Sequence, residues 1–446
     1  MPELLVYPVG NPQMLNDIEA TEWVERKTYI ERNKAYYNGN QKRQLVVRKG
    51  QSDDNIIINL AKRVIDQSVS MLMGETPSFA ADNDNGQAVL DGLWSDNEKE
   101  DFLNGVAVTG GLSGHVFVKM LKNADDGKVK YYNLASELVT VFWLPDDMRA
   151  VQCYKIEWVR KNVVHREDIY RADVNLWVIQ PYTKTDGASW MVGEPVHWEF
   201  PFAPIVDWQN LSNVDGYYGK TDLTNIGIND AVNFVASNIN RILKFHAHPR
   251  TIGIGLEAEQ IKETAVDGFW SIANPDAKVS NLEMQSDLAS SMAFLEYLQG
   301  SFYSQHRAVD ITSMKDRIGQ LTNFGLQMLF KDALDKTRVK QTLYGEGLEL
   351  LCERAGLVIG YDLGDVQVNW ADPLPFNDRE EIEGLEKELA MGIVSKQSAA
   401  EMRGRDWAVQ QEQIQAEKAN DQMGIGAALA SAMREFDRGN ATEGEV

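Results

Sequence analysis

Asn225-Ile-Gly-Ile-Asn-Asp-Ala-Val-Asn-Phe-Val-Ala-Ser-Asn-Ile-Asn-Arg-Ile-Leu-Lys-Phe245 carries two patterns on one stretch of chain. Ile228, Val232, Val235, Ile239 and Ile242 recur at steps of four and three, a narrow apolar seam on one side of a helix spanning 222–245. Such a seam suits packing against another helix, and at about 1.5 Å per residue the rod is roughly 35 Å long. Asn225, Asn229, Asn233, Ser237 and Asn240 occupy its other faces, polar but uncharged, as for water or a neighbouring copy. Asp222 stands near the start as an N-cap. Pro249 ends the rod, because it disfavours helix in the residue before it and removes a backbone donor.

Outward from this rod, residues 251–282 alternate short β-like pieces with a short helix around Glu257 to Ala265, an insert too small to be a domain. A second long helix follows over 286–309, with Leu288, Met292, Leu295, Leu298 and Phe302 at three and four. Gly300 inside it costs about 1 kcal/mol relative to alanine, which favours a bend there. Ile311-Thr-Ser-Met-Lys-Asp-Arg-Ile-Gly319 is then a polar loop of mixed charge, and a third helix runs from Gln320 to Tyr344.

Upstream, helices are expected over 16–38 (Ile18, Trp23, Ile30 and Tyr37 apolar, Gly39 ending it), over 55–73 (Ile57, Leu60, Val64, Ser68 and Met71 on one face) and around 87–109. From His115 the period becomes two. Segments at 116–120, 130–132, 138–143, 152–158 and 176–180 read as strands, separated by Asp125-Asp-Gly127 and Pro145-Asp-Asp. Residues 365–370 read as another strand, Asn377 with Glu380 as a capping-box start, and Ser395–Arg403 as a short helix. Gln410–Phe436 is helical with a late apolar face, and the end from Asp437 is expected to be disordered. Helices set beside a β-rich module make the class α+β.

A length of 446 residues allows about three ordinary domains. Its net charge of -22, from 66 acidic and 44 basic residues, argues against a protein that coats nucleic acid, since phosphate binding needs excess Lys and Arg. Cys153 and Cys352 lie far apart among apolar residues, which predicts neither a disulfide framework nor a zinc site. No run approaches the length of a membrane span, and the N-terminus lacks the pattern of a signal peptide.

Three motifs tempt a chemical reading. Gly216-Tyr-Tyr-Gly-Lys-Thr221 approaches a phosphate-binding loop, but the first position of that pattern is Val214, whose branched side chain obstructs the backbone wrap. Asp82-Asn-Asp-Asn-Gly86 approaches a calcium loop, with its glycine one place early and Leu93 where a bidentate Glu belongs. The six histidines form no i, i+4 pair on a helix, and the carboxylate pairs Asp53-Asp54, Asp146-Asp147 and Glu380-Glu381 are surface or capping neighbours. No catalytic, cofactor-binding or metal-binding residue is assigned and no cofactor is expected. A nucleotide-hydrolysing packaging or replication factor, resting on 216–221, and a minor capsid or adaptor protein remain the alternatives.

The order of these features resembles the portal proteins of tailed double-stranded-DNA bacteriophages. A long helix, a small insert, a second long helix, and a loop closing on Gly319 and Gly325 carry the likeness. So do Tyr36-Tyr-Asn-Gly39, Asn55-Ile-Ile-Ile-Asn-Leu-Ala-Lys-Arg-Val-Ile-Asp66, Met73-Gly-Glu-Thr-Pro-Ser-Phe79, Pro204-Ile-Val-Asp-Trp-Gln-Asn210, Trp370-Ala-Asp-Pro-Leu-Pro-Phe-Asn377 and Gly392-Ile-Val-Ser395. The resemblance implies a non-enzymatic subunit with a wing (1–220 and 321–400), two stem helices (221–246 and 285–310), a clip (247–284), a channel loop (311–320), a crown (401–436) and a tail (437–446). It implies a homo-oligomeric ring, a dodecamer, at a capsid vertex of the virion, assembled in the host cytoplasm. Double-stranded DNA passes through without sequence specificity, and terminase large subunit, head-tail adaptor, major capsid and scaffolding proteins are the other partners. On this reading Ser313, Met314, Lys315, Asp316, Arg317, Ile318 and Gly319 face the channel, and Ile228, Val232, Val235, Ile239 and Ile242 pack the stem. Glu257, Glu259 and Glu263 face terminase from the clip. An acidic wall would suit DNA that has to slide rather than stick.

Overall fold

The computed structural model describes residues 12–47, 53–144, 147–214, 216–247, 251–254, 278–281, 288–311, 322–374 and 378–401, with isolated positions at 49, 276, 407, 411, 413 and 414. The chain divides into two units, Met1–Leu374 and Pro375–Val446. In the smaller unit, helices α9 (Asp378–Ala390) and α10 (Lys396–Glu401) are described, the latter started by Ser395, whose Oγ accepts the Ser398 amide at 3.1 Å.

The larger unit opens with α1 (Pro12–Tyr37) and α2 (Leu60–Met73). The expected helix over 55–73 begins later than its apolar spacing suggests. Asn59 is its N-cap, its side chain accepting the Lys62 amide, and residues 53–59 run extended. The expected piece at 87–109 is two helices, α3 (Asp84–Asp96) and α4 (Lys99–Ser113), broken where Glu98 takes a left-handed φ of 49°.

Strands β2 (His115–Lys122), β3 (Val129–Leu134) and β10 (Ile205–Gln209) form a three-stranded sheet in the order β10-β2-β3. A second antiparallel sheet runs β4 (Val139–Leu144), β5 (Asp147–Arg160), β6 (Val163–Asp173), β7 (Leu176–Thr185) and β8 (Met191–Val192), with β9 (Val196–Trp198) also on β7. Strand β6 is not legible from alternation, because Arg166 and Asp168 sit on its buried face and satisfy each other, Nε to Oδ1 at 2.7 Å and Nη2 to Oδ2 at 2.8 Å.

The long helices are α5 (Gly227–Ala247), α6 (Leu288–Gln305) and α8 (Lys331–Ile359), with the short α7 (Asn323–Leu329) ahead of α8. Between α5 and α6 the described part is a hairpin of β11 (Thr251–Ile254) and β12 (Lys278–Asn281). β1 (Ser78–Ala80) pairs with β13 (Gln367–Asn369). One apolar cluster joins α2, α4, β2, β10 and α8, with Val64, Ile65, Val106, Val116, Ile205 and Leu351 at its centre. Gly347 lets α8 close on β10: a Cβ there would lie 2.5 Å from the Trp208 ring.

Candidate functional site

Helix α5 is held on two sides by its own chain. Ile228 and Val232 of the apolar seam join the cluster that contains Leu295, Leu298 and Phe302 of α6, and Ile239 is buried too. At these positions the seam is therefore covered within the chain. Of the polar row, expected to meet water or a neighbouring copy, Asn225 is exposed, whereas Asn229, Asn233 and Ser237 are buried and Asn240 half-buried against the segment 54–58. Asn229 Nδ2 donates to the Ile58 carbonyl at 2.9 Å, and Asn233 Oδ1 accepts the Ile58 amide at 2.8 Å. Ser237 Oγ accepts the Ile56 amide at 2.9 Å, and Asn240 Nδ2 donates to the Asp54 carbonyl at 3.0 Å. Gln41 braces the row, its Oε1 accepting from Asn233 at 2.6 Å and from Asn229 at 3.1 Å. An extended backbone with no strand beside it has its polar groups satisfied by a ladder of helix side chains.

At the foot of α5 lies a buried ionic hub. Asp222 is not an N-cap, because α5 begins five residues later. Its carboxylate meets Lys340 Nζ at 2.8 Å and Lys336 Nζ at 3.5 Å, and Lys340 also donates to Ser68 Oγ of α2 at 3.0 Å. Side-chain exposure is 0% for Asp222 and Lys340 and 6% for Lys336, so two ammoniums share one carboxylate away from water. Burial alone would raise the Asp222 pKa, but the two lysines outweigh it and hold the group well below the usual carboxylate range. Burial pushes Lys340 down from its ordinary value, with Asp222 opposing.

The hub reaches the end of α6. Lys336 Nζ donates to the His306 carbonyl at 3.0 Å. His306 Nδ1 lies 2.6 Å from the Phe302 carbonyl, which makes it the protonated nitrogen, and Nε2 has no hydrogen-bond partner. Burial lowers its pKa, and Lys336 adds to that effect. Arg307 then turns left-handed at φ 51°, and Gln67 of α2 grips Val309 twice, accepting its amide at 2.9 Å and donating to its carbonyl at 3.1 Å. On the far side, Thr322 caps α7 by accepting the Gly325 amide at 3.1 Å. Gln67 thus holds the chain just ahead of the candidate channel loop and α7 starts just behind it, while Ser313, Met314, Lys315, Asp316, Arg317, Ile318 and Gly319 themselves lie outside the described residues. So do Glu257, Glu259 and Glu263.

The motifs with a chemical look are spent on structure. In 216–221 the Gly219 amide donates to His115 Nδ1 at 3.3 Å and the Lys220 amide to the Leu211 carbonyl at 2.9 Å, and no helix starts behind them. A phosphate cradle needs those amides free. His115 Nε2 in turn sits 2.8 Å from Asp207, which also takes Tyr154 OH at 2.7 Å and Tyr217 OH at 2.5 Å. This set holds no nucleophile beside the histidine, and burial lowers the His115 pKa. Asn83 caps α3 through the Gly86 amide, where a calcium loop was the competing reading. Among the described residues, no group of His, Cys, Asp and Glu could hold a metal ion. Cys153 and Cys352 are both buried, and neither is in a disulfide.

Sequence reasoning missed the outer flank of α6. Phe294 and Tyr297 are 51% and 68% exposed there, and Met292, read as part of the apolar seam, is itself 46% exposed. The readable signal was charge: Leu288–Gln305 holds a single charged residue, Glu296.

A sequence profile of the family described as "Phage portal protein, SPP1 Gp6-like" matches residues 17–424. No curated protein matches the chain. Among solved structures, one described as the virion of a native gene transfer agent particle shares 12% identity at a TM-score of 0.46. The neck of the native particle computed with C12 symmetry shares 13% at 0.43, and that of the empty particle with C6 symmetry 12% at 0.41. In each case 77% of this chain and 89% of the other is covered.

Proposed function

The chain belongs to the SPP1 Gp6-like family of phage portal proteins, and on that premise we propose that copies of it close into a ring at a capsid vertex and enclose the passage for double-stranded DNA. The observation that carries the reading is the pair α5 and α6, packed along each other, with Gln67 of α2 holding the chain at Val309 just beyond α6. In this reading α5 and α6, within 221–246 and 285–310, are the stem and 247–284 is the clip. Residues 1–220 and 321–400 make the wing, 401–436 the crown and 437–446 a tail. The ring is a dodecamer built head to tail, and it closes because the rotation between neighbours closes.

The portal's part is mechanical, and work is done by a separate terminase that docks at the clip, with Glu257, Glu259 and Glu263 on the docking face. A head-tail adaptor, the major capsid protein and scaffolding protein are the remaining partners, met during assembly in the host cytoplasm. Residues 311–320 project into the channel. Each copy presents Lys315 and Arg317 against Asp316, one net positive charge on a chain of net charge -22. Contacts of that strength hold phosphates briefly and without regard to sequence, as sliding requires.

Native mass measurement with negative-stain imaging of the purified protein tests the ring; a monodisperse monomer across several salt concentrations would overturn it. Lys315→Ala combined with Arg317→Ala leaves ring assembly intact and impairs DNA packaging or retention. Packaging at the wild-type level in that variant removes the loop from the mechanism.

A further inference from the structure

A cleft of about 1040 Å³ opens between strands β5 and β10 and helix α8. Three arginines line it: Arg149 and Arg171, both exposed, and Arg354, half-buried. None of the three is in an ion pair among the described residues. The bonds they make are weak. Arg354 Nη1 donates to the Ile205 carbonyl at 3.3 Å, with the guanidinium 5.1 Å from the centre of the Phe202 ring. Arg171 reaches the Asp173 and Val174 carbonyls at 3.4 and 3.5 Å. A guanidinium offers five donors in a fork that fits a carboxylate, and drawing one out of water without an anion is costly.

The acids of the cleft do not supply that anion. Asp207 is spent, its Oδ1 on Tyr154 and its Oδ2 on His115 and Tyr217, and Glu346 is exposed and pairs with none of the three arginines. Burial pushes the Arg354 pKa down from its ordinary value, and Tyr154, Asp207 and Glu353 oppose that only in part. A positive cleft in a chain of net charge -22 calls for a negative occupant.

The walls say which kind. Nucleic acid needs aromatic faces on which bases stack. Here Trp177 and Trp208 are 5% and 6% exposed, Tyr217 is already stacked on Trp143 and His115, and Phe202 on Phe200. What the cleft does offer is aliphatic: Met148, Leu350 and Val214 line it at 40%, 37% and 87% exposure. Its volume lies at the upper end of the roughly 300–1,000 Å³ that suits a compact ligand, room for a short peptide rather than a lone ion.

We propose that this cleft takes a short segment of a partner protein that carries carboxylates beside aliphatic side chains. The carboxylates meet Arg354 in the floor and Arg149 and Arg171 at the mouth, in the forked geometry arginine favours. The aliphatic groups cover Met148, Leu350 and Val214. The site belongs to a single chain and does not depend on the ring.

The test presents the labelled full chain to an array of hexapeptides built from Glu, Leu and Val, and to a matched array with Gln in place of Glu. Wild type is expected to bind the Glu array and to bind the Gln array at least about tenfold more weakly, as when a charged anchor is lost. Arg354→Met should lose a similar factor. So should Arg149→Ala with Arg171→Ala, whose exposed sites leave the fold intact. Lys42→Ala with Lys49→Ala removes the same charge at exposed residues that do not line the cleft, and should bind as wild type does. In thermal melts Arg354→Met should hold or raise Tm, because the charge it removes has no anion. A fall of several degrees would make Arg354 a brace for the Ile205 carbonyl and overturn the site. Equal binding to the two arrays, binding to neither, an undiminished signal in the arginine variants, or an equal loss in the lysine control overturns it as well. Oligothymidylate binding that Arg354→Met abolishes would mark a phosphate site and overturn the peptide assignment.

Discussion

Asp222→Asn is the sharpest test of the hub. The change keeps the shape and removes the only carboxylate within 4 Å of Lys340 and Lys336 among the described residues, whose side chains are 0% and 6% exposed. Breaking a buried pair by deleting one partner costs about 3–5 kcal/mol. A second route gives the same size: discharging one lysine at pH 7 costs up to about 5 kcal/mol, from about 1.4 kcal/mol per pH unit over the distance to 10.5. Against a usual stability of about 5–15 kcal/mol, that is a large fraction. The sign with pH follows. With Asp222 gone, a folded-state lysine pKa falls below the unfolded value, the folded chain binds fewer protons, and its stability rises with pH up to the unfolded pKa. The deficit relative to wild type should shrink by up to about 2.7 kcal/mol between pH 7 and pH 9. Urea unfolding followed by tryptophan fluorescence at both pH values measures this. Adding Lys340→Met to Asp222→Asn should recover part of the loss, since the two sites share one contact. An Asp222→Asn protein within about 1 kcal/mol of wild type at pH 7 would show that the lysines are solvated or otherwise neutralised, and the hub argument would fail.

Two further outcomes are expected. Asn233→Ala leaves the Ile58 amide without its partner and Gln41 Oε1 with Asn229 alone, a loss of about 1–3 kcal/mol, and hydrogen exchange should speed up at Ile56 and Ile58 before the rest of the unit; uniform exchange would refute a local ladder. Burial holds His306 and His115 below their ordinary pKa, so below about pH 6.5 the unfolded chain takes up protons that the folded chain does not. Stability should then fall with acidification by up to about 1.4 kcal/mol per pH unit for each histidine, and His306→Gln should remove about half of that slope in urea titrations. An unchanged slope would assign the acid sensitivity elsewhere.

Much of the fold was readable because it is written locally. The three-and-four spacing found α5 and α6, and alternation found β2 to β5 and β7, whereas the helix expected over 320–344 is two, α7 and an α8 that runs on to Ile359. What failed was decided at a distance. Ile57 and Leu60 continue a helical spacing, yet 53–59 is extended because its partners are side chains of α5 some 170–190 residues on. Asn229, Asn233 and Ser237 look like a wet face when read alone, and only the arrival of that segment makes them interior. Asp222 has the look of a cap, but its lysines lie 114 and 118 residues away in sequence. The site divides the same way. The seam was visible as a pattern, whereas the hub and the uncharged flank of α6 required the packing.

The asparagine row on α5 sets two rulers of unequal pitch side by side. Four residues of helix advance about 6.0 Å, while two residues of extended chain advance about 6.6 Å. Such scales agree only over a short span, as on a vernier, and each four-residue step also swings the side chain about 40° around the rod until the three-residue step from Ser237 to Asn240 swings it back. The marks therefore coincide in one alignment. A residue deleted from 54–58 could not be absorbed by sliding along α5 and would cost the whole row of matches.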